Sequence, residues 1–196
     1  MTTGSLQREL PVVIVLAAGR GERFRAAGGQ TGKLEALLEA RPVLAHVLEA
    51  VTRSGLPSHV VRAQDLSHLP RAGMGDSIAS GVSATAGASG WLILPGDLPL
   101  IRAQTLRQVA QALLALPPGQ ETVQPHFRGQ RGHPVGFRRA CEAALRDLHG
   151  DDGAKRVLQS WPPLRLEVDD EGAVWDVDTP ERLAQAASRL RGGVSE

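Results

Sequence analysis

A single cysteine, Cys141, is the entire thiol content of this 196-residue chain. That excludes an internal disulfide and any zinc site built on paired cysteines. Without a histidine signal nearby, Cys141 is expected to be a small buried helix residue. Net charge is nearly absent too: 22 Lys and Arg stand against 21 Asp and Glu, a formal +1. The basic stripe of a nucleic-acid surface is therefore missing. No apolar run approaches the roughly 20 residues that a membrane span needs. Residues 1–10 are polar and lack the hydrophobic segment of a signal peptide. No internal repeat or low-complexity segment stands out. These absences leave a cytoplasmic protein, without membrane or nucleic-acid partners, as the expectation.

What is present suits one α/β domain. Hydrophobic residues make up 42% of the chain, enough for a sizeable core. Strand and helix patterns alternate. Residues 12–18, 59–63, 91–94 and 122–125 are short β-branched or apolar runs that read as strands, and 135–137 is a further short one. Residues 42–54, 76–86, 103–116, 138–148, 154–160 and 181–190 carry helical spacing, the first beginning at Pro42 after a separate short segment at 34–38 and the last opened by Thr179-Pro180. Residues 25–32 and 64–73 read as loops. Residues 165–168 and 174–177 read as late strands, joined as a hairpin across Asp170-Glu171-Gly172. Strands separated by helices predict a three-layer α/β/α domain with a mostly parallel, Rossmann-like sheet over residues 11–191. Residues 1–10 and 192–196 are expected to be frayed ends.

The densest chemistry lies in residues 12–24, VVIVLAAGRGERF. A buried strand there runs into small residues and then Gly19-Arg20-Gly21, with a cation at Arg23. A strand that stops at a glycine-rich turn exposes a row of backbone N–H groups, which an anion can satisfy. Arg23 and Lys33 have the sign needed to neutralise a polyphosphate. A dinucleotide fingerprint would place a third glycine where Phe24 stands and an acid after Val61-Arg62-Ala63. Neither is present, and the Gly-Lys-Ser/Thr of a P-loop is absent as well.

Three further places bear on function. Asp97 follows a buried strand through Pro95-Gly96, at the carboxyl end where open α/β sheets bind ligands. It can hold Mg²⁺, or it can cap an Asx turn, since Gly-Asp-Leu-Pro is good turn chemistry. Asp176 and Asp178 flank Val177; on a strand both carboxylates would share one face, and an acid before Thr-Pro is equally placed to cap the next helix. Gly73-Met74-Gly75-Asp76-Ser77 opens a helix, where glycines permit close backbone approach and Asp76 and Ser77 are either caps or ligand contacts. His126 and His133 are isolated and do not have metal-ligand spacing. His133, with Arg128 and Arg131, either attracts an anion or belongs to a solvated basic loop.

These residues together resemble one family. Leu16-Ala17-Ala18-Gly19-x-Gly21-x-Arg23-Phe24 with Lys33-Leu34 is similar to the opening of the MobA-like NTP transferases, which include molybdenum cofactor guanylyl- and cytidylyltransferases. The similarity continues through residues 73–77 with Gly81, then 94–100, Gly132-His133-Pro134, residues 150–154 and residues 176–181. The Leu-Ala-Ala-Gly form is closer to the cytidylyl branch. The loop between Arg23 and Lys33 is longer than is usual in the family, and the stretch from His59 to Gly73 is short.

The resemblance implies a nucleotide-diphospho-sugar transferase-like fold and transfer of NMP from an NTP, CTP ahead of GTP. It implies Mg²⁺ as cofactor, held by Asp97 and Asp178, and Lys33, Arg23 and Asp97 as catalytic residues. Leu16, Ala17, Ala18, Gly19, Gly21, Arg23, Lys33, Gly75, Asp76 and Ser77 would bind nucleotide. His133 and Arg131 would border the acceptor, expected to be molybdopterin in its molybdenum-bound form. A molybdoenzyme or a chaperone is the candidate protein partner. Two alternatives stay open: a sugar or polyol phosphate as acceptor, and a non-catalytic module that delivers a cofactor.

Overall fold

The structure is a computed structural model that describes residues 10–192. Most of the expected frayed ends lie outside the described residues. Strands are β1 (Val12–Ala17), β2 (Leu37–Leu38), β3 (Arg41–Pro42), β4 (Ser58–Arg62), β5 (Gly90–Pro95), β6 (Thr122–Phe127), β7 (Gln130–Arg131), β8 (Val135–Arg138) and β9 (Leu164–Glu167). Helices are α1 (Glu22–Ala26), α2 (Val43–Ser54), α3 (Met74–Ala84), α4 (Ala103–Leu114), α5 (Glu142–Arg146), α6 (Lys155–Ser160) and α7 (Pro180–Gly192).

The central sheet has the order β4-β1-β5-β8-β6-β7, with β9 also paired to β6. β1 is parallel to both β4 and β5, and β9 is parallel to β6. β8 runs antiparallel between β5 and β6, and β7 is the short return arm of a hairpin with β6. So β4, β1, β5, β6 and β9 share one direction, and the sheet is mostly parallel as expected. The exceptions are β7 and β8, which follow the tight turn at Arg128-Gly129. Both turn residues have positive φ, 49° and 83°.

Alternation along the strands builds two cores. Val13, Val15, Leu92 and Leu94 face α2 and α4, whose Val47, Val51, Leu106 and Val109 cover them. Ile14, Trp91, Ile93 and Phe137 face α3, α5 and α6 on the other side. Both faces are covered, which is why β1 and β5 read as continuous apolar runs. A third cluster of Phe24, Leu38, Val43, Trp175, Val177 and Ala186 ties α7 to the β2–β3 hairpin at one end of the sheet. Among the described residues no helix is long and apolar enough to cross a membrane.

Three local expectations need correction. Residues 25–32 are not all loop: α1 begins at Glu22, and Phe24 is buried as its anchor. The helix expected over residues 138–148 is reduced to a 3-10 turn at Arg139–Cys141 followed by the five residues of α5. The hairpin expected across residues 170–172 does not form. Asp170 is buried and accepts from Arg102 N (3.0 Å), Thr105 Oγ1 (2.6 Å) and Gly172 N (2.9 Å). It therefore fastens this segment to the start of α4. A Cβ at Gly172 would lie 2.0 Å from Leu100 O, so the backbone is pressed against residue 100 instead of turning back on itself. Residues 171–174 form a 3-10 turn.

Cys141 is fully buried, as its place in the sequence suggested. Burial pushes its thiol pKa up to about 12, so the reactive thiolate is scarce at neutral pH. Iodoacetamide should leave the folded chain unlabelled at Cys141 and modify it in denaturant. Rapid labelling of the folded protein would contradict this packing.

Candidate active site

Two neighbouring strands deliver the site. Leu16 of β1 and Pro95 of β5 are partners in register, so the loops that follow them leave the sheet side by side at its carboxyl end. Gly96 N donates to Leu16 O at 3.0 Å and fixes that pairing. A Cβ at Gly96 would come within 2.9 Å of the same carbonyl, so the contact requires glycine. A cleft of about 470 Å³ opens at this point. The 18–24 turn and Lys33 form one wall, residues 71–74 and Ser77 another, and Asp97, Asp151 and Asp178 complete it.

The long loop after α1 folds back and returns Lys33 to the turn. Gly21 has φ 62°, and a Cβ there would meet Lys33 N at 3.1 Å. Lys33 Nζ donates to Asp97 Oδ2 at 2.5 Å and to Asp178 Oδ1 at 2.9 Å. Arg23, largely exposed, reaches Asp178 Oδ2 at 3.4 Å. Two cations thus meet two carboxylates. Burial opposes the charge on Lys33 as the largest single influence, but Asp97 and then Asp178 outweigh it and hold its pKa above the ordinary value. For Asp178 burial is again the largest influence, yet Lys33 and Arg23 prevail and lower its pKa.

Asp178 owes its position to backbone and aromatic contacts. Val177 N donates to Asp97 O at 3.0 Å, which brings the two acid-bearing segments together. Residues 176–178 do not form a strand, and Val177 is buried between the acids in sequence. Asp176 turns to Arg182, 3.3 Å away, and does not line the cleft. Arg182 and Arg189 of α7 lie over the Trp175 ring at 3.7 and 3.6 Å from its centroid. This clamps the segment just before Asp178.

A divalent cation fits this donor set. Asp97 is buried, and among the described residues its Oδ1 has no hydrogen-bond partner. An unpartnered buried carboxylate oxygen is costly unless a ligand uses it. Among the described residues no cluster of three or more His, Cys, Asp or Glu side chains could hold an ion. Asp97 and Asp178 would therefore supply only part of the coordination, leaving phosphate and water to complete it, as Mg²⁺ prefers.

The expected nucleotide residues divide. Leu16, Ala18, Gly19, Gly21, Arg23, Lys33 and Ser77 line the cleft; Ala17, Gly75 and Asp76 do not. Asp76 Oδ2 accepts from Gly73 N (2.8 Å) and Gly150 N (3.0 Å), so it caps α3 and ties that helix to the 149–150 turn. At Gly73 and Gly75 the backbone closely approaches that turn. A Cβ on Gly73 would lie 2.3 Å from Gly150 C, and one on Gly75 would lie 2.7 Å from His149 O. Gly73→Ala should therefore cost about 1–3 kcal/mol of stability, read as a fall of several degrees in Tm. An unchanged Tm would show that the two turns are not packed in this way.

The expected acceptor residues divide as well. Neither His133 nor Arg131 lines the cleft. Arg131 is exposed on β7. His133 donates its backbone N–H to Ala173 O at 2.8 Å, and its Nδ1 is buried without a partner. Burial lowers its pKa against the opposing pull of Asp97, which favours the neutral imidazole. Arg71 was not anticipated, yet it lines the cleft opposite Arg23. The available clue was a basic residue just ahead of a glycine-rich helix start.

The profile of the MobA-like NTP transferase domain matches residues 13–166. The chain belongs to the MobA-like NTP transferase family. The purine catabolism protein PucB of Bacillus subtilis is 37% identical over 114 residues, which cover 56% of this chain and 53% of PucB. The match thus spans about half the length of that relative. A nucleotidyl transferase from Methanothermobacter thermautotroptrophicus superposes with a TM-score of 0.74 at 21% identity, covering 93% of this chain and 99% of the other. Rv0371c of Mycobacterium tuberculosis, solved in complex with manganese, gives 0.67 at 22% identity, covering 91% and 98%. At these identities the two structures establish the fold, a nucleotide-diphospho-sugar transferase-like α/β domain.

Proposed function

We propose that this MobA-like chain is a Mg²⁺-dependent nucleotidyltransferase. It transfers CMP from CTP, with GTP as the second choice of donor, to a phosphate-bearing acceptor and releases pyrophosphate. The acceptor we assign is molybdopterin in its molybdenum-bound form. One observation carries the reading: Lys33, Asp97 and Asp178 converge beside the glycine-rich turn after β1. The choice of CTP rests on the Leu-Ala-Ala-Gly form of that turn.

The roles follow from charge and position. Backbone N–H groups of the 19–21 turn receive the β- and γ-phosphates, and Arg23 neutralises them from the rim. Lys33 stabilises the charge that develops on the α-phosphate and the departing pyrophosphate. Asp97 and Asp178 would hold the divalent ion, which when bound supplies Lewis-acid neutralisation of phosphate charge. An acceptor phosphate oxygen forms a bond to the α-phosphorus, and the bond to the bridging oxygen breaks with its electron pair leaving on pyrophosphate. No protein base is needed, because the attacking phosphate arrives ionised. Positioning and charge therefore carry the chemistry.

Pyrophosphate release tests the proposal. CTP, GTP, ATP and UTP are each offered with Mg²⁺ and one acceptor at a time, either molybdenum-bound molybdopterin or a polyol phosphate. Release should require both Mg²⁺ and molybdopterin and should be fastest with CTP. Release only with the polyol phosphate would move the acceptor assignment. No release with any pair would reject the enzyme and leave a cofactor-delivery module.

A further inference from the structure

Lys33 stands where a divalent cation would have to go. Its ammonium bridges Asp97 Oδ2 and Asp178 Oδ1 at 2.5 and 2.9 Å, so one internal cation already occupies the seat. The bridge is sheltered: the Lys33 side chain is 18% exposed and that of Asp97 12%. Arg23 adds a second positive charge on Asp178 Oδ2. A metal ion approaching alone meets a like charge at contact distance and must expel it. The backbone of Lys33 lies against Gly21, in the glycine-rich turn that lines the cleft. Its four-carbon stem can carry the ammonium from the carboxylates to a phosphate in that turn without the backbone moving.

We infer that Lys33 is an exchangeable internal counter-ion. It closes the Asp97–Asp178 seat to free divalent metal and gives it up when a triphosphate draws the ammonium toward the 19–21 turn. The inference rests on the nucleotidyltransferase reading above. Two consequences follow. The two acids do not repel each other before substrate arrives, and metal enters with the nucleotide or after it. Metal and triphosphate are then coupled through one side chain, each favouring the other's binding.

The test is metal binding without turnover. Mn²⁺ is titrated into the full chain without nucleotide, and free ion is followed by electron paramagnetic resonance. Lys33→Gln and Lys33→Met should bind Mn²⁺ roughly tenfold or more tightly than the unaltered protein, within the usual range of such couplings. Lys33→Arg, which keeps the cation, should not gain. Adding Asp97→Asn and Asp178→Asn to Lys33→Gln should erase the gain. The glutamine amide can still donate to both carboxylates, so that variant serves if Lys33→Met folds poorly. Equal Mn²⁺ affinity in the unaltered protein and in Lys33→Gln would overturn the counter-ion role. A second titration with Mn²⁺ and CTP together separates the two failures. Uptake that needs Asp97 and Asp178, with no gain in Lys33→Gln, removes the counter-ion role alone. No uptake dependent on those acids in either titration removes the metal seat, and the counter-ion role with it.

Discussion

Asp97→Ala is expected to abolish turnover and leave the melting temperature nearly unchanged. The side chain serves the cleft and not the core. Among the described residues its Oδ1 has no partner, and its Oδ2 bonds Lys33. Removing the carboxylate does not strand Lys33, because Asp178 remains 2.9 Å away. The contact that joins the two acid-bearing segments is made by the backbone carbonyl of Asp97 to Val177, which alanine keeps. The loss in turnover should reach about a thousandfold or more, corresponding to the several kcal/mol of transition-state stabilisation that a bound ion supplies. Turnover is measured by pyrophosphate release and stability by calorimetry. A large fall in Tm, with activity retained per folded molecule, would make Asp97 a turn residue instead.

Lys33→Ala should lower the turnover number about 10²–10³-fold while changing nucleotide affinity much less. Under the proposed mechanism, several backbone N–H groups and Arg23 would share the phosphate charge in the ground state. Charge that develops on the α-phosphate and leaving group has Lys33 as its nearest lysine, since the cleft wall contains no other. Single-turnover rates and equilibrium binding of CTP separate the two effects. A loss confined to affinity would place Lys33 among ordinary binding residues. An unchanged rate would remove it from the reaction altogether.

Much of this site was legible before the fold was known, because its parts lie at strand ends. The apolar run before Gly19 and the apolar run before Asp97 both read as buried strands, and two such strands side by side must deliver their loops to the same end. Lys33 was less secure, since a long loop separates it from Arg23. Gly21 packing on Lys33 closes that distance, and no local pattern encodes such a contact. The 170–172 segment misled because Asp-Glu-Gly has the composition of a hairpin turn. Its aspartate is spent on capping α4, a partner 65 residues away in sequence. Likewise, glycines at residues 73 and 75 announce a close approach without saying to what; the answer is the 149–150 turn. Short-range chemistry was readable, whereas pairings between distant turns were not. The tie from Asp76 to the 149–150 turn is one such pairing.

Diffraction from crystals of the full chain grown with CTP and Mn²⁺, recorded at the manganese edge, bears most directly on the cluster of Lys33, Asp97 and Asp178. An anomalous peak coordinated by both carboxylates is expected, with the triphosphate on the 19–21 turn and Lys33 Nζ on a phosphate oxygen. A peak away from these acids, or a triphosphate bound elsewhere on the sheet, would contradict the assignment.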